Sequence, residues 1–112
     1  MEFDNNKAIY LQIADNFCEQ VLSGALPAGK RIPSVREWGA TIGVNPNTVA
    51  RSYEVLTDMG VIYQKRGIGF FVSENAGQAI VNLHRNQFLE QELPAFVKKA
   101  RLLGIELKDY IE

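Results

Sequence analysis

The chain has 112 residues and a formal net charge of −1, with 46% apolar and 22% charged residues, the make-up of a globular protein of one domain plus a small appendage. No apolar run approaches the roughly 20 residues a membrane helix needs, and Met1-Glu2-Phe3-Asp4 does not open a signal peptide, so a cytoplasmic protein without membrane contact is expected. One cysteine, Cys18, and one histidine, His84, exclude an internal disulfide, a cysteine-built zinc site, a His-ligated metal centre and a His-based triad, and with them the usual inventory of an enzyme.

The charge is unevenly placed. Residues 1–29 carry Lys7 against four carboxylates, whereas residues 30–66 carry six basic side chains against Glu37, Glu54 and Asp58. Residues 67–112 are again slightly acidic. The positive middle third is where a polyanion would be met.

Along the chain, Leu11, Ala14, Cys18 and Val21, widened by Ile13 and Phe17, give a helical stripe from Ile9 to Leu22, with Cys18 as a packed core residue. Ser23-Gly24 and Pro27-Ala28-Gly29 close that helix. Ser34-Val35-Arg36-Glu37 is a capping box that opens a second helix; Val35, Trp38 and Ile42 face inward, Trp38 as a core anchor, and Gly43 is the expected left-handed C-cap. Asn45 as N-cap and Pro46 as first helical residue open a third, with Val49, Tyr53 and Leu56 buried and Asn47, Thr48 and Arg51 turned outward until Asp58-Met59-Gly60 ends it. Two helices joined by Gly43-Val44-Asn45 outline a helix-turn-helix. Residues 61–64 and 70–72 read as strands flanking Lys65-Arg66-Gly67-Ile68-Gly69, a basic hairpin tip that makes the motif winged. From Ala76 the helical pattern returns: Ala76, Ile80 and Leu83, a break at Pro94, then Phe96, Ala100, Leu103 and Leu107. Two short amphipathic helices would leave apolar surface exposed in a monomer.

The expected fold is mainly α with a small β wing: a winged helix-turn-helix over residues 1–75 and a helical dimerisation tail over 76–112. In such a motif the first turns of the second helix enter the major groove. Asn47 can pair with adenine, Thr48 can meet a base, a phosphate or a thymine methyl, and Arg51 can reach guanine or a phosphate. Arg36 is placed for the backbone or groove edge, and Asn45 for a phosphate at a helix N-terminus. Arg66 suits a narrow minor groove, the glycines at 67 and 69 permit close backbone approach, and Lys65 adds phosphate attraction. A protein-interaction module would instead show apolar or acidic residues on the exposed face of the third helix, and a nuclease would need clustered carboxylates for metal ions.

Ile9-Tyr10-Leu11-Gln12-Ile13-Ala14, Gly24, Pro27-Ala28-Gly29, Ile32-Pro33-Ser34-Val35-Arg36-Glu37, Val44-Asn45-Pro46-Asn47-Thr48-Val49, Tyr53, Leu56, Gly60 and Arg66-Gly67-Ile68-Gly69-Phe70-Phe71-Val72 resemble the N-terminal domain of GntR-type regulators, over about residues 9–72. The short tail resembles the YtrA-like subgroup. The resemblance implies a homodimer that binds double-stranded DNA at an inverted-repeat operator, usually as a repressor and often of transporter genes. It also implies a DNA-contacting set of Ser34 (to phosphate), Arg36, Asn45, Asn47, Thr48, Arg51, Arg66 and Gly67. Trp38 and Gly39 stand where Leu-Ala is usual, and Ser52 where Ala is common, which bears on the packing of the second helix. Fewer than 45 residues follow the wing, too few for the cofactor or metabolite pocket of the larger subgroups, so no cofactor is expected. A small-molecule effector would have to bind at the dimer interface or between tail and wing.

Overall fold

The computed structural model describes residues 1–111; Glu112, the last residue of the expected tail, lies outside them. Two compact units result, Met1–Ile80 and a second beginning at Val81.

The first unit opens with α1, Ile9–Leu22, which has no side-chain cap and is held by its buried face. That face is Ile13, Ala14, Phe17 and Cys18. Leu11 and Val21, expected at its centre, are half-buried flanks, so the stripe is rotated toward Ile13 and Phe17. Helix α2, Val35–Ile42, begins with the expected capping box: the Ser34 hydroxyl accepts from the Glu37 N–H at 3.2 Å, and Glu37 Oε1 accepts from the Ser34 N–H at 3.3 Å. It ends at Gly43, whose φ of +72° is the left-handed cap. Helix α3, Pro46–Asp58, is opened by Asn45, whose side chain accepts from the Asn47 N–H at 2.8 Å.

The turn between α2 and α3 closes tightly over Gly39, which is buried on α2. A Cβ there would stand 2.6 Å from the Val44 carbonyl oxygen, inside any tolerable contact. Beside it Trp38, Val35 and Ile42 pack half-buried against the core. The Trp38 indole N–H is sealed from solvent without an acceptor among the described residues, a cost of roughly 1–3 kcal/mol that the packing of the ring offsets.

Three antiparallel strands complete the unit, in the order β1 (Arg31–Ile32), β3 (Gly69–Val72), β2 (Ile62–Lys65). Two-residue β1 is too short to carry a period-2 pattern and was not expected from the sequence. The register sets Arg31 opposite Phe71 and Phe71 opposite Tyr63. Alternation therefore sends Ile32, Ile62 and Val72 into the core, with Phe70 edge-on to Tyr53 at 5.0 Å, and leaves Arg31, Tyr63, Lys65 and Phe71 on the outer face. The core of α1, α3 and the sheet is closed by Ala76 and Ile80, the first turns of α4 (Ala76–Gln87), so the compact unit ends at Ile80 rather than at the hairpin.

In the second unit the helical path does not break at Pro94. A π-helical segment, Phe88–Glu92, leads into α5, Leu93–Leu102, with Pro94 in its first turn. A proline lacks a donor and crowds the carbonyl four residues back; the wider π turn, in which the Leu93 N–H donates to the Phe88 carbonyl, accommodates both. α5 then ends earlier than expected. Ile105 N–H donates to the Ala100 carbonyl at 2.9 Å and Gly104 N–H to the Arg101 carbonyl at 3.1 Å, a Schellman motif that cuts the expected stripe before Leu107. Leu107 starts a single 3-10 turn, Leu107–Asp109. Ala100 is buried, whereas Phe96, Leu103, Tyr110 and Ile111 stay exposed around an apolar groove.

Candidate nucleic-acid interface

Three exposed features of the first unit carry the predicted contact residues. The N-terminus of α2 presents Ser34 and Arg36; the N-terminal half of α3 presents Asn45, Asn47, Thr48 and Arg51; the hairpin turn between β2 and β3 presents Arg66 and Gly67. All eight are exposed except Thr48, which is half-buried. Burial of Val49, Ser52, Tyr53 and Leu56 against the core fixes which face of α3 remains for a partner. Asn47, Thr48 and Arg51 share the opposite side, three and four residues apart.

Local chemistry constrains several of them. The Ser34 oxygen is occupied by the capping box, which leaves its O–H as the free donor. Asn45 likewise spends its carbonyl oxygen on the cap and keeps its amide N–H groups. Ser52, at the position where alanine is common, is fully buried and donates to the Tyr10 carbonyl at 2.7 Å, which ties α3 to the first turn of α1. The same Tyr10 supplies a platform for Arg51: the guanidinium lies 4.1 Å from the ring centroid, a cation–π contact that narrows the rotamers of a long side chain. Tyr53 fastens the N-terminal end of α2, its hydroxyl donating to the Pro33 carbonyl at 2.6 Å, one residue before the Ser34 cap. Burial, and then the Glu37 carboxylate, push its phenol well above the ordinary tyrosine range.

Electrostatics favour an anion here. The only ion pair among the described residues is Lys7–Asp15, so Lys30, Arg31, Arg36, Arg51, Lys65 and Arg66 keep their charge uncompensated by a contacting carboxylate. Lys65 lies against the Phe71 ring at 4.8 Å, and Phe71 stacks on Tyr63 at 5.7 Å. The two wing glycines differ. Gly67 has open space around it, as a close approach by a backbone would require, whereas the space over Gly69 is filled by the side chain of Arg31. Sequence reasoning assigned no role to Arg31 or to Tyr10; the one belongs to a strand too short to see, the other to a helix treated only as core.

The model for bacterial regulatory proteins of the gntR family matches residues 9–72, the segment from the start of α1 to the end of β3. Among known proteins the chain is 35% identical over 111 residues to the HTH-type transcriptional regulator YhcF of Bacillus subtilis, a match spanning 99% of this chain and 90% of that protein. It is 36% identical over 100 residues to the HTH-type transcriptional repressor YtrA of the same organism, spanning 89% and 76%. A solved GntR-family transcriptional regulator from Bacteroides thetaiotaomicron superposes with a TM-score of 0.81 at 48% identity, over 92% of this chain and 89% of that one. These relatives are transcriptional regulators and not enzymes. With a capped helix-turn-helix, a polar outer face on α3 and a basic hairpin all lying within the matched segment, the chain belongs to the GntR family of bacterial DNA-binding transcriptional regulators.

Proposed function

We propose that the chain is a homodimeric repressor acting in the cytoplasm on an inverted-repeat operator, with residues 1–75 as the DNA-binding part and 76–112 as the dimerisation tail. The observation that carries this reading is the outer face of α3, where Asn47, Thr48 and Arg51 stand exposed or half-buried in a region whose cations have no carboxylate partners. Helix α3 lies in a major-groove half-site, with Asn47 and Thr48 at base edges and Arg51 at a base or phosphate. Ser34, Arg36 and Asn45 hold phosphates, and Arg66 with the Gly67 backbone follows the adjacent minor groove. Pairing of the tails places two such units about a two-fold axis and sets the half-site spacing. Occupancy then occludes a promoter, of which one controlling a transporter operon is the proposed case. The mechanism requires no cofactor, and it leaves room for a small-molecule effector that alters operator affinity.

Selection of bound duplexes from a random pool, with the enriched site retitrated at several salt concentrations, tests the reading. A palindromic site and a steep salt slope are expected. On that site Arg51→Ala costs on the order of 1–3 kcal/mol. Failure to enrich any site at low salt, or an Arg51→Ala affinity equal to wild type, overturns the operator reading and the Arg51 role respectively.

A further inference from the structure

Arg31 reaches from the shortest strand to the tip of the wing. Its Nη2 donates to the Ile68 carbonyl at 2.6 Å, a charge-assisted bond across 37 residues of sequence. The Ile68 N–H is already used, donating to the Lys65 carbonyl at 2.9 Å to close the turn. Both backbone groups of Ile68 are thus fixed, one by the hairpin itself and one by a side chain from β1. Between them lies the exposed turn that carries Arg66 and Gly67.

The path of the guanidinium depends on Gly69. Arg31 and Gly69 lie on the outer face of the sheet, because Arg31 pairs with Phe71 and Gly69 precedes Phe71 by two residues. A Cβ at 69 would come within 3.0 Å of Arg31 Nε and 3.3 Å of Nη2. Gly69 also has a φ of +147°, a conformation that side chains resist. The glycine therefore serves the arginine as much as the turn.

We propose that Arg31 is a wing-positioning residue: by bonding the Ile68 carbonyl and lying over Gly69, it holds the Arg66–Gly67 turn in its DNA-engaging geometry before DNA arrives. A hairpin tip of three exposed residues would otherwise lose conformational freedom on binding, at the expense of affinity. The bond also occupies part of the guanidinium fork, so Arg31 acts through the wing and not as a further phosphate ligand. This inference rests on the reading of the wing as a DNA contact.

The test is a double-mutant cycle in the full chain on the selected operator, with Arg31→Ala, Arg31→Lys, Arg66→Ala and Arg31→Ala/Arg66→Ala titrated from low to moderate salt. Arg31 is exposed, and thermal melts are to check that each variant folds. Arg31→Ala is expected to weaken binding about tenfold, yet to change affinity less than about twofold once Arg66 is already alanine. Arg31→Lys keeps the charge but loses the planar fork, and recovers only part of the loss. In the Arg66→Ala background, the salt slope stays the same whether Arg31 is present or not. Additive losses, full recovery by lysine, or a slope reduced by about 0.9 on removal of Arg31 in that background would show a direct phosphate contact and overturn the proposal. Should Arg66→Ala bind like wild type while Arg51→Ala does not, the wing reading itself falls and the brace with it.

Discussion

Tyr53 joins three parts of the first unit, and its hydroxyl can be removed without touching its packing. The residue is 3% exposed, its ring meets Phe70 of β3 edge-on, and its O–H donates to the Pro33 carbonyl at 2.6 Å. Tyr53→Phe keeps the ring and leaves that carbonyl without its donor, so the expected loss is about 1–2 kcal/mol at pH 7. For a unit of this size that lowers Tm by roughly 5–15 °C. The pH dependence sharpens the test. The phenol is raised in the folded state by burial first and Glu37 second, so its stabilising contribution is complete below the unfolded value near pH 10 and drains away as pH rises above it. Above pH 10, wild type loses roughly 1.4 kcal/mol per pH unit that the phenylalanine variant does not lose, since the other titrating groups are common to both. The gap between the two proteins should close near pH 11 and then change sign. Urea unfolding of both from pH 7 to 11.5, followed by circular dichroism, measures it. A gap that is absent at pH 7, or constant through pH 11, refutes the buried hydrogen bond and the reasoning built on it.

Further outcomes follow from the same structure. Burial, and secondarily Asp15, push the Cys18 thiol up to about 11, so at pH 8 the native chain should react with a disulfide reagent on the order of a hundredfold slower than the urea-unfolded chain; equal rates would contradict its place in the core. Gly43→Ala meets no atom within 4 Å but must hold a φ of +72°, so it should cost about 1–2 kcal/mol, seen as a lower urea midpoint at unchanged slope, whereas an unchanged midpoint would mean the turn relaxes. Leu103 is 64% exposed beside the apolar groove of the second unit; Leu103→Glu should alter folding stability by no more than about 0.5 kcal/mol yet halve the mass seen by light scattering, and a persisting dimer would remove the tail from the proposed interface.

Local signals were enough to place most elements. Ser34 with Glu37, Gly43, and Asn45 with Pro46 act through bonds within a few residues, so the boundaries of α2 and α3 were legible, as were the buried positions Val49, Tyr53 and Leu56 and the exposed Asn47 and Arg51, with Thr48 half-buried beside them. The hairpin was legible for the same reason, its two strands being joined by a short glycine-bearing turn. What no window of sequence contains is a contact between distant segments. Strand β1 exists only because β3 offers it a pairing edge, and the bond from Arg31 to Ile68 spans 37 residues. Ala76 and Ile80 belong to the first core because of where α4 begins in space, although their pattern continues into the tail. The break expected at Pro94 did not occur, because a proline that ends one helix can be absorbed by a π turn in another, and its local pattern does not say which. The capped helices, the winged motif and the polar face of α3 follow from propensity and periodicity and could be read along the chain; the third strand, the extent of the core and the bond from Arg31 to the wing depend on groups that only folding brings together.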